Sequence, residues 1–178
     1  YLAVVAVLLA YLGVHELRRR TELTRLAQWP QRLPAGPGAL FRDVLESVGH
    51  IFGARRVVMI WQEPDEPSSI LASLIDGRFE WGPKPPDRFE PLIPAPLAST
   101  SFVCRNVGAR APVVLRADAQ ELAGLGPAPL HGDFSRRYDV GPVLALKVSA
   151  SDCGGWLLVL DKPRLSSDDL TLGLVVAQ

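Results

Sequence analysis

Apolar and polar positions recur along this chain with two different periods, and each change of period marks a boundary between elements. Over residues 39–53 the apolar set Leu40, Phe41, Val44, Leu45, Val48, Ile51 and Phe52 falls at helical spacing, with Arg42, Asp43, Glu46 and His50 off that face. This predicts an amphipathic helix, which Gly53 is placed to end. Short apolar and β-branched runs then predict strands over 56–61, 70–75 and 78–81. Asp76-Gly77 between the last two is a strong hairpin signal, because a two-residue turn of this kind needs positive φ at both positions. Pro85, Pro86, Pro91 and Pro94 exclude helix and central strand from the passage 83–96. A loop of that length is expected to be a lid, a binding segment or unstructured. Beyond it, 101–104 and 113–115 are expected as short strands, 118–122 as a helical turn and 129–138 as a short helix.

The last 38 residues (141–178) carry the sharpest local signals. Val143, Leu144, Ala145, Leu146 and Val148 predict one strand and 156–160 another, with Ser151, Asp152, Gly154 and Gly155 as the turn between them and Cys153 exposed at its tip. After Asp161-Lys162-Pro163, Ser166 and Asp169 have the spacing of a capping box, ahead of Leu170, Leu172, Leu174, Val175 and Val176. A helix leaving a sheet in this way is expected to continue past Gln178 and to pass register or force to a downstream element.

The amino-terminal residues have a different pattern. Residues 1–14 are apolar without a charge and run directly into His15-Glu16-Leu17-Arg18-Arg19-Arg20. Fourteen residues are fewer than the roughly 20 that span a bilayer, so the run is expected to be the end of a transmembrane helix whose basic flank marks the cytoplasmic side. The alternative is a buried soluble helix. Residues 15–36 read as a juxtamembrane helix and linker, with Leu12, Leu23 and Leu26 in a weak heptad, stopped by Trp29-Pro30 and the Pro34–Gly38 cluster. Acidic and basic residues balance at nineteen each, which removes the overall field that recruits nucleic acid. Two cysteines are too few for a disulfide framework and fit a reducing compartment.

Helix, strand meander, irregular crossing segment with a small helix, long hairpin and exit helix is an order that resembles GAF domains. The resemblance covers residues 37–178 and is carried by RRVVMIWQEP, FSRRYDVGPVLALKV and LLVLDKPRLSSDDLTLGLVVA. PAS domains share the general architecture. The expected fold class is therefore α+β, a GAF/PAS-like antiparallel sheet flanked by helices and preceded by a membrane and juxtamembrane helix. With the apolar run and arginine cluster in front, the order also resembles the sensor portion of membrane-bound bacterial histidine kinases. That resemblance implies an inner-membrane protein with a cytoplasmic sensory domain, a homodimer, a small-molecule ligand and a kinase core beyond Gln178. The competing reading is a dimerisation module that binds no ligand and relays signals between membrane and output.

Catalytic chemistry is not legible in these residues: there is no phosphate-cradling loop, serine elbow, CxxC or paired-histidine spacing. His15, His50 and His131 are too scattered to predict a metal site, and no cofactor is identified. Candidate ligand-binding residues are Phe102, Cys104, His131, Phe134 and Tyr138, expected to lie between the sheet and the segment 102–138, where aromatic surface meets a few polar groups. The resemblance raises thioether attachment of a bilin at Cys104, but the Asp-containing and Cys-His motifs that accompany that chemistry are missing, which favours a buried structural cysteine. Trp61 and Trp81 are further candidates to line a cavity, with a core role as the competing explanation.

Overall fold

A computed structural model describes residues 36–62, 69–84, 91–109, 112–117, 121–123, 128–150, 153–162 and 164–177. The chain separates into units Tyr1–Leu33 and Pro34–Gln178, and only the second contains described residues. The expected transmembrane end at 1–14 and the juxtamembrane helix, apart from the linker's last residue Gly36, lie outside them. Among the described residues no helix is long and apolar enough to cross a membrane.

Helix α1 spans Pro37–Phe52, with Pro37 at its first position, where a missing N–H costs nothing. Gly53 closes it in the left-handed conformation (φ 62°), and the N–H groups of Gly53 and Ala54 cap the carbonyls of His50 and Gly49. Strands β1 (Arg56–Gln62), β2 (Ser69–Ile75) and β3 (Arg78–Lys84) form an antiparallel meander. Ile75 pairs with Arg78 across Asp76 (φ 49°) and Gly77 (φ 81°), so the predicted two-residue turn is present with both residues at positive φ. Strands β4 (Phe102–Cys104), β5 (Val113–Arg116) and β6 (Glu121–Ala123) follow, then the short helix α2 (Gly132–Arg137), the hairpin β7 (Val143–Ala150) and β8 (Cys153–Leu160), and helix α3 (Ser167–Val176). Among the described residues, eight strands join one sheet in the order β3-β2-β1-β8-β7-β4-β5-β6, every neighbouring pair antiparallel. The strands carrying Leu71, Val58, Leu158 and Leu146 lie side by side within it, as the hydrophobic pattern requires.

Register divides the sheet into two apolar faces. Val58 lies opposite Ser73 and Leu158, Leu158 opposite Ala145, and Ala145 opposite Phe102, which defines one face. Val57 lies opposite Leu74 and Val159, and Val159 opposite Leu144, which defines the other. Helices α1 and α3 cover this second face, α1 over β1 and β2 and α3 over β7 and β4. The first face is covered by the turns of 91–100, by Val107, by α2 and by the residues that flank it.

Four local expectations are corrected. Residues 121–123 are strand, not helical turn: Val113 pairs with Ala123 and Leu115 with Glu121, so the backbone groups are satisfied by a neighbouring strand, and 118–120 lie outside the described residues. Gly154 and Gly155 belong to β8, not to the turn, and a Cβ on Gly155 would come within 2.0 Å of the Ile60 carbonyl oxygen. Cys153 pairs with Ala150 inside the hairpin and is half-buried. The helix expected over 129–138 is confined to Gly132–Arg137, because Leu130 is inserted into the core and the His131 N–H donates to the Leu92 carbonyl.

Replacing Gly155 by alanine forces β1 and β8 apart at their closest approach. The expected loss of stability is at least about 3 kcal/mol, the upper end for overpacking, against about 1 kcal/mol for Ser166→Ala at the α3 N-cap; urea denaturation of the two variants checks the order.

Candidate functional site

The first face of the sheet and its cover form one apolar layer. Val58, Leu71, Phe102, Cys104, Val114, Val143, Ala145, Leu158 and Leu160 from the strands meet Leu92, Ile93, Leu97, Val107, Leu130, Phe134, Tyr138 and Val140 from the cover. Proline gives the cover its form: 91–100 is a series of turns in which the Leu97 N–H donates to the Pro94 carbonyl (2.9 Å), while Leu92, Ile93 and Leu97 are buried. The proline-rich stretch thus supplies hydrophobic cover without regular structure, and 85–90 lie outside the described residues.

Four of the five candidate residues are brought together here. Phe102, Cys104 and Phe134 are fully buried and Tyr138 is 6% exposed. The Phe134 and Tyr138 rings lie 4.6 Å apart at 42°, and Phe102 meets Trp156, a partner that the sequence pattern did not single out, at 6.2 Å. His131 stands at the margin, half-buried, as the N-cap of α2; its Nδ1 accepts the Asp133 N–H at 3.3 Å. Trp81 lies elsewhere, against Phe41 of α1 at 6.2 Å, with its indole directly over Gly38. Trp61 occupies the helix-side face by register, opposite Ile70 and Gly155. Neither tryptophan joins the layer, because alternation along β1 and β3 puts both on the other side of the sheet.

Chemically the layer is hydrophobic, with aromatic rings and one thiol among aliphatic side chains. Burial pushes the Cys104 thiol pKa up, only partly opposed by a hydrogen bond with the Asn106 backbone. A raised pKa and zero exposure are the opposite of what a thioether-forming nucleophile needs, so a covalently attached bilin does not fit Cys104. Among the described residues no cluster of three or more His, Cys, Asp or Glu is arranged to hold a metal. A separate open cleft of about 460 Å³ lies between the end of α1 and the β2–β3 turn, lined by Glu46, His50, Arg55 and Asp76 among others. Its charges are of both signs and solvent-exposed, which is ordinary surface chemistry.

At the end of the sheet beside the layer is a polar junction that the sequence pattern did not reveal. Arg56 of β1 pairs with the Asp161 carboxylate and donates to the Asp139 carbonyl at 3.4 Å, while Asp161 Oδ1 accepts the Gly141 N–H at 3.1 Å. Both Asp139 (φ 43°) and Asp161 (φ 58°) are left-handed.

With this geometry in view, comparison with known proteins gives the fold. No family model and no curated protein matches the chain. Among solved structures, the phycoerythrobilin-bound GAF domain from a cyanobacterial phytochrome is similar, with TM-score 0.56 and 16% identity over 88% of this chain and 87% of that one. The phycocyanobilin-bound GAF domain from a cyanobacterial phytochrome matches with TM-score 0.53 and 16% identity over 89% and 91%. The fold is that of a GAF domain.

Thiol titration checks the burial argument. Cys104 is expected to react with a thiol reagent only on unfolding, while the half-buried Cys153 reacts in the native protein. Because the folded thiol has the higher pKa, its contribution is at full value below the unfolded-state pKa of about 8.5 and declines as pH rises past it. A denaturation series from pH 7 to pH 10 should show this slope in the parent, and Cys104→Ala should flatten it.

Proposed function

We propose that this chain is a sensory, signal-transmitting GAF module of a membrane-anchored protein, with an output of histidine-kinase type. The observation that carries the signalling reading is that the apolar layer and the exit helix use alternate residues of β7 and β4. Ala145 of β7 and Phe102 and Cys104 of β4 face the layer, whereas Leu144, Leu146 and Val103 face the helix side. Helix α3 sits close on β7, since a Cβ on Gly173 would come within 2.5 Å of the Leu146 side chain. A guest that displaces β7 or β4 from the layer side therefore moves the seat of α3, and a preference for one arrangement shifts the population between two states. The pattern of residues 1–20 supports the anchor, and pairing of two exit helices in a homodimer is the natural route for output.

The ligand is an apolar small molecule held without a covalent bond near Phe102, Cys104, His131, Phe134 and Tyr138. A relay that binds nothing is the second reading, favoured by the dense packing of Phe102, Cys104, Phe134 and Tyr138.

Thermal denaturation with a panel of apolar and planar metabolites separates the two. A binder at a hundred times its Kd adds about 2.7 kcal/mol, and Phe134→Ala should abolish that gain while itself lowering stability by about 3–5 kcal/mol. Silence across the panel, with no extractable ligand in the purified protein, leaves the relay.

A further inference from the structure

The junction at Arg56 connects the cover of the apolar layer to the exit helix through two consecutive residues. Asp161 ends the β8 strand in a left-handed turn, and its own N–H donates to the Pro142 carbonyl at 3.0 Å. Its carboxylate holds Arg56 on one oxygen and the Gly141 N–H on the other. Gly141 in turn accepts from the Val107 N–H at 3.0 Å, and Asp139, whose carbonyl Arg56 also reaches, follows Tyr138 at the end of α2. One carboxylate thus gathers β1, the α2–β7 connection and, through Gly141, Val107 in the loop after β4.

The next residue faces a different set. Lys162 pairs with Asp169 in the first turn of α3 and lies 5.8 Å from the Phe52 ring at the end of α1. Asp169 is also the reciprocal half of the capping box, accepting the Ser166 N–H at 2.9 Å. Neither ion pair is fully exposed, with side chains 22% and 29% accessible for Arg56 and Asp161 and 24% and 12% for Lys162 and Asp169. Partial burial gives such pairs a firmer geometry than surface pairs have. The Arg56 Nε is buried without a hydrogen-bond partner, so the guanidinium's hold on this site runs through Nη1.

We propose that Asp161 and Lys162 form a two-sided clamp that couples the position of the α2–β7 connection to the seating of α3. The inference rests on reading the chain as a signal-transmitting module and specifies its regulation. When the cover moves, Asp139 and Gly141 move with it. Arg56 and Asp161 pass that displacement into the turn from which Lys162 and α3 depart. The left-handed conformation of Asp161 makes this a position with two solutions: held by Arg56 and Gly141 it keeps φ positive, and released it relaxes to the ordinary region for a non-glycine residue.

Hydrogen exchange on the full 178-residue chain tests the coupling without any ligand. Asp161→Asn preserves the shape, tolerates positive φ and keeps an acceptor for Gly141, but removes the charge that holds Arg56. It is expected to raise exchange about tenfold both at the Val107 and Gly141 amides and at the α3 amides, with the β2–β3 hairpin unchanged. Lys162→Ala cuts only the helix side, so it should raise exchange in α3 and leave Val107 and Gly141 as they were. Two results overturn the clamp: Asp161→Asn without effect on α3, or an equal rise across all strands, which is general destabilisation. Because no readout depends on a guest, failure to find a ligand leaves this test standing. A negative exchange result sinks the clamp without deciding the ligand question.

Discussion

The central strands β1, β8 and β7 are buried on both faces, and this constraint organises everything around them. Val57 and Val58 are neighbours in sequence, point to opposite sides and are both fully buried; so are Leu144 and Ala145, and Leu158 and Val159. A one-residue slip in any of these pairings exchanges the two faces of a strand. With both faces apolar, such a slip keeps the burial and loses the shape fit, so the register is held by specific close approaches. Gly155 against the Ile60 carbonyl is one of them, and Gly173 against Leu146 fixes the helix above β7 in the same manner.

Two apolar faces need two covers, made of different material. On one face α1 and α3 satisfy their own backbone groups and present side chains. On the other, the cover is mostly irregular, tied down by turns such as Leu97 N–H to Pro94 and by the contact from His131 to Leu92. Irregular cover is easier to displace than a helix because fewer of its backbone bonds are local and cooperative. The asymmetry gives the domain a yielding side and a firm side, sharing strands. Helices α1 and α3 both lie on the firm side, and the transmitter role proposed above uses this asymmetry.

The same burial limits the chemistry of the site. Cys104 is held among apolar side chains, where burial pushes its thiol pKa up, and the aromatic rings beside it contribute contact area without charge. The fold is shared with bilin-bound GAF domains at 16% identity. A fold persists at that distance because alternation and volume define the layers, whereas a covalent site needs one residue in one environment.

What the sequence determined by itself was whatever depends on neighbours within about four residues. The 3.6-residue period wrote α1, Asp76-Gly77 wrote the first hairpin, and Ser166 with Asp169 wrote the start of α3, since each signal is a side chain acting on its own stretch of backbone. The strands at the heart of the sheet were legible for the same reason, whereas the meeting of Phe102 and Cys104 of β4 with Phe134 and Tyr138 depends on the sheet and its cover coming together. Only the tertiary structure decided that 121–123 pair as a strand, that Gly155 serves a close approach and not a turn, that Trp61 and Trp81 face away from the layer, and that Arg56 meets Asp161 across 105 positions. Those outcomes depend on partners brought together by the sheet. A local pattern records which face a residue favours, but the identity of what lies opposite exists only once the strands are in register.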